Sequence, residues 1–260
     1  MRIVSWNVAA RRARLAEQAA VLAALAPDVI CLQEVTLNSL PEWREALARA
    51  GLRHSATPLD DRRPPARRRL GVLTAARAPV ARVPIDELLP WPERAVHVVV
   101  AGIDVVNVHS PIAPSPGLAK VRTHEAMYAH VVARDRIVLC GDLNTPRRDL
   151  PDGSVLTFAY RSNGKLRPDR GERWDAAERA LVHTLRVEHG WTDPFLAAGS
   201  AQRTWTFPDD KGGWRLDHVL VRGLQVPACA YAHEWRRLGL SDHSALVVDI
   251  ADVPRVHTRS

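Results

Sequence analysis

The sequence predicts an α/β fold in one domain, of the α+β kind in which hairpins and crossovers mix. Three observations point there. Short β-rich runs alternate with Ala/Leu/Glu-rich helical stretches along the chain. The turn pair Ala101-Gly102 marks a hairpin, while other strand candidates are separated by a helix, so antiparallel and parallel neighbours should share sheets. No repeat or composition break divides the 260 residues, and a hydrophobic content of 46% suffices for a full core.

The elements follow in order. Arg2–Val8 alternates and reads as a strand. Arg12–Leu25 reads as a helix stopped by Pro27. Asp28–Leu32 is a short apolar run, hence a buried strand ending at Gln33-Glu34. Leu40–Ala50 follows the N-cap candidate Ser39 and precedes Gly51, so it is read as a helix. Strands are expected near Gly71–Ala75, Ala95–Ala101 and Asp104–His109, then a helix over Leu118–Ala133. Arg136–Cys140 is another apolar strand, running into "GDLN". A long basic loop, Thr145–Arg170, leads to a helix from Glu172 to about Glu188. Trp205–Phe207, Arg215–Val221, Gln225–Tyr231 and Ala245–Ile250 read as the last strands. Residues 1–251 are expected to form the domain and 252–260 a short flexible tail.

Composition narrows the class of protein. There is no run of 18 or more apolar residues, so no transmembrane helix is expected. The start, "MRIVSWNVAA", lacks an apolar signal region and reads as a first strand, which predicts a cytoplasmic protein. Cys31, Cys140 and Cys229 have no metal-site spacing and read as reduced, buried thiols. The net charge of +7 predicts attraction to phosphate polyanions. A dinucleotide-binding reading would need GxGxxG after the first strand, and "SWNVAARRA" has none.

Five polar clusters stand at or beside predicted strand ends, Asn7, Gln33-Glu34, Asn107 to His109, Asp142 to Asn144 and Asp242-His243, and Asp217-His218 lies within a sixth strand. Strand ends carry side chains on a rigid scaffold toward one crevice. Carboxylate, amide and imidazole are the groups that metal-assisted phosphoester chemistry uses: oxygen ligands for a hard cation, a base for water and a donor for the leaving oxyanion.

The ordered motifs "SWNV", "CLQEV", "NVHSP", "GDLN", "GWRLDHVLV" and "SDHSAL" resemble the endonuclease/exonuclease/phosphatase superfamily from Arg2 to Ile250. The resemblance implies a four-layer sandwich, two mixed β-sheets packed face to face with helices outside. It also implies roles. Glu34 would be the main metal carboxylate, oriented by Asn7, and Asp242 a second ligand, direct or through water. The cation would be Mg²⁺ or Mn²⁺. Asp142 would activate the attacking water and Asn144 would hold the scissile phosphate. His109 would face the leaving oxygen as acid or polariser. His243 would donate to the phosphoryl oxygen, with Asp217 fixing its tautomer.

The C-terminal half resembles exonuclease III-type abasic endonucleases. In those enzymes the residues flanking the Arg of "GWRLD" line the pocket for the extruded abasic sugar, which here are Trp214 and Leu216. Either Trp205 or Phe207 would be the third wall. Arg147 and Arg148, with Arg161, Lys165, Arg167 and Arg170, would meet duplex DNA through its phosphates, as would the cluster Arg62, Arg63, Arg67, Arg68 and Arg69. The chain departs from the abasic endonuclease pattern: it has His109 where those enzymes usually carry Tyr, Ile112 in place of Asn, and Ala9 where Asp often stands. The expected activity is therefore a metal-dependent phosphodiesterase on DNA, acting at abasic sites in DNA repair. A non-specific deoxyribonuclease and a small-molecule or lipid phosphoesterase use the same centre, and a non-catalytic nucleic-acid-binding protein is the rival of another class.

Overall fold

The computed structural model describes residues 1–61, 65, 69–85, 89–113, 115–198, 206–207 and 213–251. The strands are β1 (Arg2–Asn7), β2 (Val29–Thr36), β3 (His54–Ala56), β4 (Leu70–Ala76), β5 (Val80–Val83), β6 (Ala95–Val100), β7 (Ile103–His109), β8 (Ile137–Asp142), β9 (Arg148–Asp149), β10 (Val155–Leu156), β11 (Asp217–Arg222), β12 (Gln225–Ala232) and β13 (Ala245–Ala251). The helices are α1 (Leu15–Ala24), α2 (Leu40–Arg49), α3 (Ala119–Val131), α4 (Gly171–Arg179), α5 (Leu185–Glu188), α6 (Pro194–Ala197) and α7 (His233–Arg237), with a π-helical stretch, Ala180–Thr184, joining α4 to α5.

Two mixed sheets form. One has the order β12-β13-β1-β2-β4-β3 and the other β11-β8-β7-β6-β5. Pairs β1–β2 and β7–β8 are parallel and the remaining pairs in both sheets antiparallel.

Alternation along the strands explains the layering. Ile3, Val29, Cys31, Val105, Val138, Cys140 and Val219 join one apolar cluster drawn from both sheets. Their neighbours on the opposite faces go elsewhere. Val4, Trp6, Ile30 and Leu32 pack with Leu22 of α1 and Trp43 and Leu47 of α2. Val106, Val108, Ile137 and Leu139 pack with Met127 and Val131 of α3 and Leu185 of α5. The result is helices, sheet, sheet, helices: the four-layer sandwich that the resemblance implied. The central strands such as β2, β7 and β8 are buried on both faces because both faces are covered, whereas the edge strands β5 and β12 are largely exposed.

The structure adds elements that the sequence reading left as loop: β3, β5, the small β9–β10 hairpin, α6 and α7. Where a strand was expected over Trp205–Phe207, Phe207 makes a single antiparallel bridge to Trp214; Trp205 lies outside the described residues, as do Arg62, Arg63, Arg67, Arg68 and the tail 252–260. The three thiols are free; Cys31 and Cys140 are buried, but Cys229 is only half-buried on β12, at the edge of its sheet. No helix among the described residues is long and apolar enough to cross a membrane.

Candidate active site

The alternation that builds the inter-sheet core also builds the site. Continuing the inward positions toward one end of the strands gives Asn7 on β1, Gln33 on β2, Asn107 and His109 on β7, Asp142 on β8 and Asp217 on β11. Apolar residues fill the middle of the inner faces and polar residues the end. Just behind the site, the two sheets are tied by a polar bridge. Gln33 donates to Asn107 Oδ1 at 2.8 Å, and the Asn107 amide donates to the carbonyls of Leu32 and Leu73 at 3.2 Å. A buried network of this kind, in which Gln33 Oε1 alone of the two side chains' polar atoms lacks a partner, fixes one register between the sheets.

Two backbone features aim the carboxylates. Asp142 stands opposite His109 in the parallel β7–β8 register. That register needs Gly141: a Cβ there would lie 1.9 Å from the Val108 carbonyl oxygen, and its φ is +133°. Glu34 is the extra residue of a β-bulge, since Gln33 pairs with Val72 and Val35 with Gly71. Its φ is +62°, a left-handed conformation unusual for Glu. Simple alternation would send Glu34 outward with Leu32; the bulge turns it into the cleft, while Val35 takes the outward position.

The polar groups then meet. The Asn7 amide donates to both Glu34 Oε1 (3.1 Å) and Asp142 Oδ2 (3.0 Å), while its own Oδ1 accepts from the Ala9 N–H at 2.9 Å. His109 Nε2 lies 3.7 Å from Glu34 Oε1 and 3.8 Å from Asp142 Oδ2. His243 Nδ1 donates to Asp217 Oδ2 at 2.8 Å, which leaves Nε2 facing Asp142 Oδ2 at 3.9 Å. The turn that carries His243 is pinned to β1: Ser241 donates to the Asn7 carbonyl at 2.6 Å, and Trp6 Nε1 to the His243 carbonyl at 3.0 Å.

Asn144 also has a left-handed backbone (φ +52°), a conformation that costs about 1–3 kcal/mol and persists only when its surroundings hold it. Its N–H donates to Asp142 Oδ1 at 2.9 Å and its amide to the Ser110 carbonyl at 2.8 Å.

Electrostatics separate the two histidines. Burial would lower the His243 pKa, but Asp217 and Asp142 outweigh it and raise the pKa to about 10, so His243 is a cation at neutral pH. His109 is held well below the ordinary imidazole value by burial, then by Arg94 and His243. The Arg94 guanidinium lies 3.1 Å from its ring nitrogens. A neutral His109 can polarise a leaving oxygen but has no spare proton to give as an acid. Burial raises the pKa of Asp142, against the pull of His243.

A cleft of about 410 Å³ opens on these groups. Glu34, His109, Asp142, Asn144 and His243 line one side; Trp214, Leu216, Phe207, Phe158, Ile112 and Ala113 line the rest, with Lys120. Trp214 and Phe207 lie nearly parallel, 6° apart at 6.3 Å, and Phe207 leans on His243 at 4.9 Å. Between Trp214 and Leu216, Arg215 points the other way. It is buried and ion-paired to Asp149 and Asp193 at 2.8 Å, which anchors the segment before β11 that carries the wall. Arg147 lies over the Phe158 ring, 5.0 Å from its centroid, and Arg148 is exposed on β9. Arg170, read from sequence as part of the basic loop, instead donates to the Phe158 carbonyl and stacks over Trp174. Asp242 is half-buried, 3.5 Å from the Ser241 hydroxyl, and is not among the described residues lining the cleft.

Sequence reasoning missed Phe158 and Lys120. Two signals were available: an aromatic in a polar loop, and one of only three lysines in a chain whose positive charge is otherwise Arg.

The donor set fits a hard divalent cation. Glu34 and Asp142 share one amide donor, Asp142, Asp217 and His243 place ligand atoms within 4.8 Å of one another, and Asp217 Oδ1 is buried without a hydrogen-bond partner. Of these, Glu34 is the better ligand, because Asp217 is already committed to His243 and the Asp142 oxygens accept from Asn7 and Asn144.

The sequence model described as the Endonuclease/Exonuclease/phosphatase family matches residues 4–243. Among solved structures, an AP endonuclease from Archaeoglobus fulgidus is similar with TM-score 0.73 and 24% identity, over 97% of this chain and all of that one. A 3'-5' exonuclease (NExo) from Neisseria meningitidis has TM-score 0.67 and 21% identity, again over 97% and 100%. A substituted form of the 3' phosphatase NExo from Neisseria, bound to product DNA hairpin, has TM-score 0.68 and 20% identity, with the same coverage. At these identities the likeness is one of fold. No curated protein matches the chain.

Proposed function

The chain belongs to the endonuclease/exonuclease/phosphatase family of metal-dependent phosphodiester hydrolases, and from that premise we propose that it cuts duplex DNA at abasic sites with Mg²⁺ or Mn²⁺. One observation carries this reading. A small aromatic and apolar pocket, built by Trp214, Leu216 and Phe207, opens directly against Asp142, Asn144 and His243. Such a wall suits a sugar without a base, because nothing polar on it needs pairing and extrusion from the duplex is cheap.

Glu34, oriented by Asn7, would hold the cation, with Asp242 acting through water. When bound, the cation would supply Lewis-acid stabilisation of phosphoryl and leaving oxygens. The chain's own groups do the rest. Asp142 orients the attacking water and takes its proton. Asn144 faces the scissile phosphate, and His243, charged and fixed by Asp217, donates from Nε2 to a phosphoryl oxygen as charge grows there. Neutral His109 polarises the leaving oxygen. Arg147, Arg148 and the exposed Arg161 and Lys165 would meet backbone phosphates.

A second reading has its own observation. Phe158 gives the cleft a third aromatic face, 5.5 Å from Trp214, and this suits an intact nucleoside as well as a bare sugar. Three labelled substrates separate them: a duplex with one tetrahydrofuran, an intact duplex and a single strand, each with Mg²⁺ and with EDTA. The abasic reading expects a nick on the 5′ side of the tetrahydrofuran, fastest of the three and lost in EDTA. Equal cutting of all three removes the specialisation. No cutting of any, with good turnover of a small phosphodiester, removes DNA as the substrate. Binding that is unchanged in EDTA with no cutting leaves only a nucleic-acid-binding protein.

A further inference from the structure

One buried ion pair lies beside the cleft, and no step above uses it. Lys120, in the first turn of α3, and Glu178, in the last turn of α4, are each 1% exposed and pair directly. A lysine in the first turn opposes the helix dipole, and replacing a buried pair with apolar residues is often neutral or stabilising. Local stability therefore does not explain why these two charges stand here.

Their other contacts do. The Lys120 ammonium donates to the Asn144 carbonyl at 2.6 Å and sits 5.0 Å from the Phe158 ring centroid. Glu178 accepts from the Phe158 N–H at 2.6 Å, from the Thr145 hydroxyl at 3.0 Å and from Trp174 Nε1 at 2.8 Å. One turn further along α3, buried His124 lies 2.8 Å from the Ser110 hydroxyl, and Ser110 holds the Asn144 amide. Residues four apart share a helix face, so one face of α3 supports Asn144 from two sides.

We propose that the Lys120–Glu178 ion pair is a positioning clamp that sets the spacing between the phosphate-facing Asn144 and the aromatic wall at Phe158. A left-handed Asn144 needs support from its surroundings, and charge-assisted hydrogen bonds supply it more strongly than neutral ones. Each end of the clamp holds backbone, so the geometry does not depend on side-chain rotamers of the loops. The inference rests on the role given to Asn144 above.

The test uses K120M/E178Q, which removes both charges together and leaves no unpaired buried ion. The change is made in the wild-type chain and in N144A. On the tetrahydrofuran duplex and on bis(p-nitrophenyl) phosphate, below the measured Tm, kcat should fall about 10- to 100-fold, as expected for ångström-scale misplacement, with KM moving less. On bis(p-nitrophenyl) phosphate in the N144A background the same change should cost under about twofold, because for that substrate the clamp acts through Asn144. Equal losses in both backgrounds would overturn the proposal. Hydrogen exchange gives a readout independent of turnover. Amides at Asn144, Thr145 and Phe158 should exchange at least about tenfold faster in K120M/E178Q, while β7 and β8 stay unchanged. Wild-type exchange there would end the clamp even in a chain that cuts some other phosphodiester; absence of turnover by the wild type, with faster exchange in the variant, would instead remove the function and keep the clamp.

Discussion

Asp142 and Phe158 face the same cleft but are held there by different means. Asp142 ends a six-residue strand buried along its whole length, between β7 and β11, and its direction follows from strand alternation. Phe158 sits in a loop, its N–H held by Glu178 and its carbonyl by Arg170. The chemistry is thus mounted on the sheets and the wall is mounted on charged groups. A site built this way can keep one reaction while its wall is rebuilt for another substrate, the two sets of supports meeting at the Lys120–Glu178 pair.

The largest expected effect strikes the supports of the wall. Burial pushes the Asp193 carboxyl up, but Arg215 outweighs it and holds Asp193 below the ordinary range; Asp149 is shifted the same way. A lowered folded pKa gives stability that is present above the unfolded value, about 4, and lost as pH falls through the folded values. Asp193→Asn strips a buried pair of one partner and should cost about 3–5 kcal/mol at neutral pH. The Tm gap from wild type should be steady from pH 5 to 8, within the plateau set by that unfolded value, and shrink at more acid pH. An equal gap at pH 3 and pH 7 would mean that the ion pair does not hold the wall segment.

Next in size is the chemistry. Asp142→Asn should lower kcat by about 10²–10³ on every phosphodiester tested, with DNA Kd within about threefold. Single-turnover rates and a binding titration check it, and a retained rate would remove Asp142 from the reaction. The smallest effect sharpens the contrast most. Phe158→Ala should reduce the preference for a tetrahydrofuran duplex over bis(p-nitrophenyl) phosphate by about tenfold, in line with ~1–3 kcal/mol for an aromatic contact. If Phe158→Ala slows both substrates equally, the wall is part of the chemistry and the division fails.

The same division explains what could be read in advance. Asn7, His109, Asp142 and Asp217 were legible because period-two patterns mark strands, and strand ends mark a crevice. The buried long strands were legible for the same reason. β3 and β5 were not: three or four residues such as "HSA" and "VARV" carry too little pattern, and pairing to β4 and β6 decides them. Phe158 and Lys120 were missed because neither stands at a strand end: one lies in a loop and the other in the first turn of α3, and contacts such as that of Lys120 with Glu178, 58 positions on, place them. Whether Asp242 would act directly or through water was not legible, because its direction is set by the turn that Ser241 pins to β1, which no local pattern encodes.

The irregularity in β2 has a wider meaning. Glu34 owes its direction to a count of residues rather than to any neighbour's identity: one more residue on β2 than on β4 between Gln33 and Val35. Drift in side-chain type can therefore proceed around it, whereas a single codon lost or gained at that point would turn the acid away from its ion. Here the number of residues in the strand, more than their types, guards the centre.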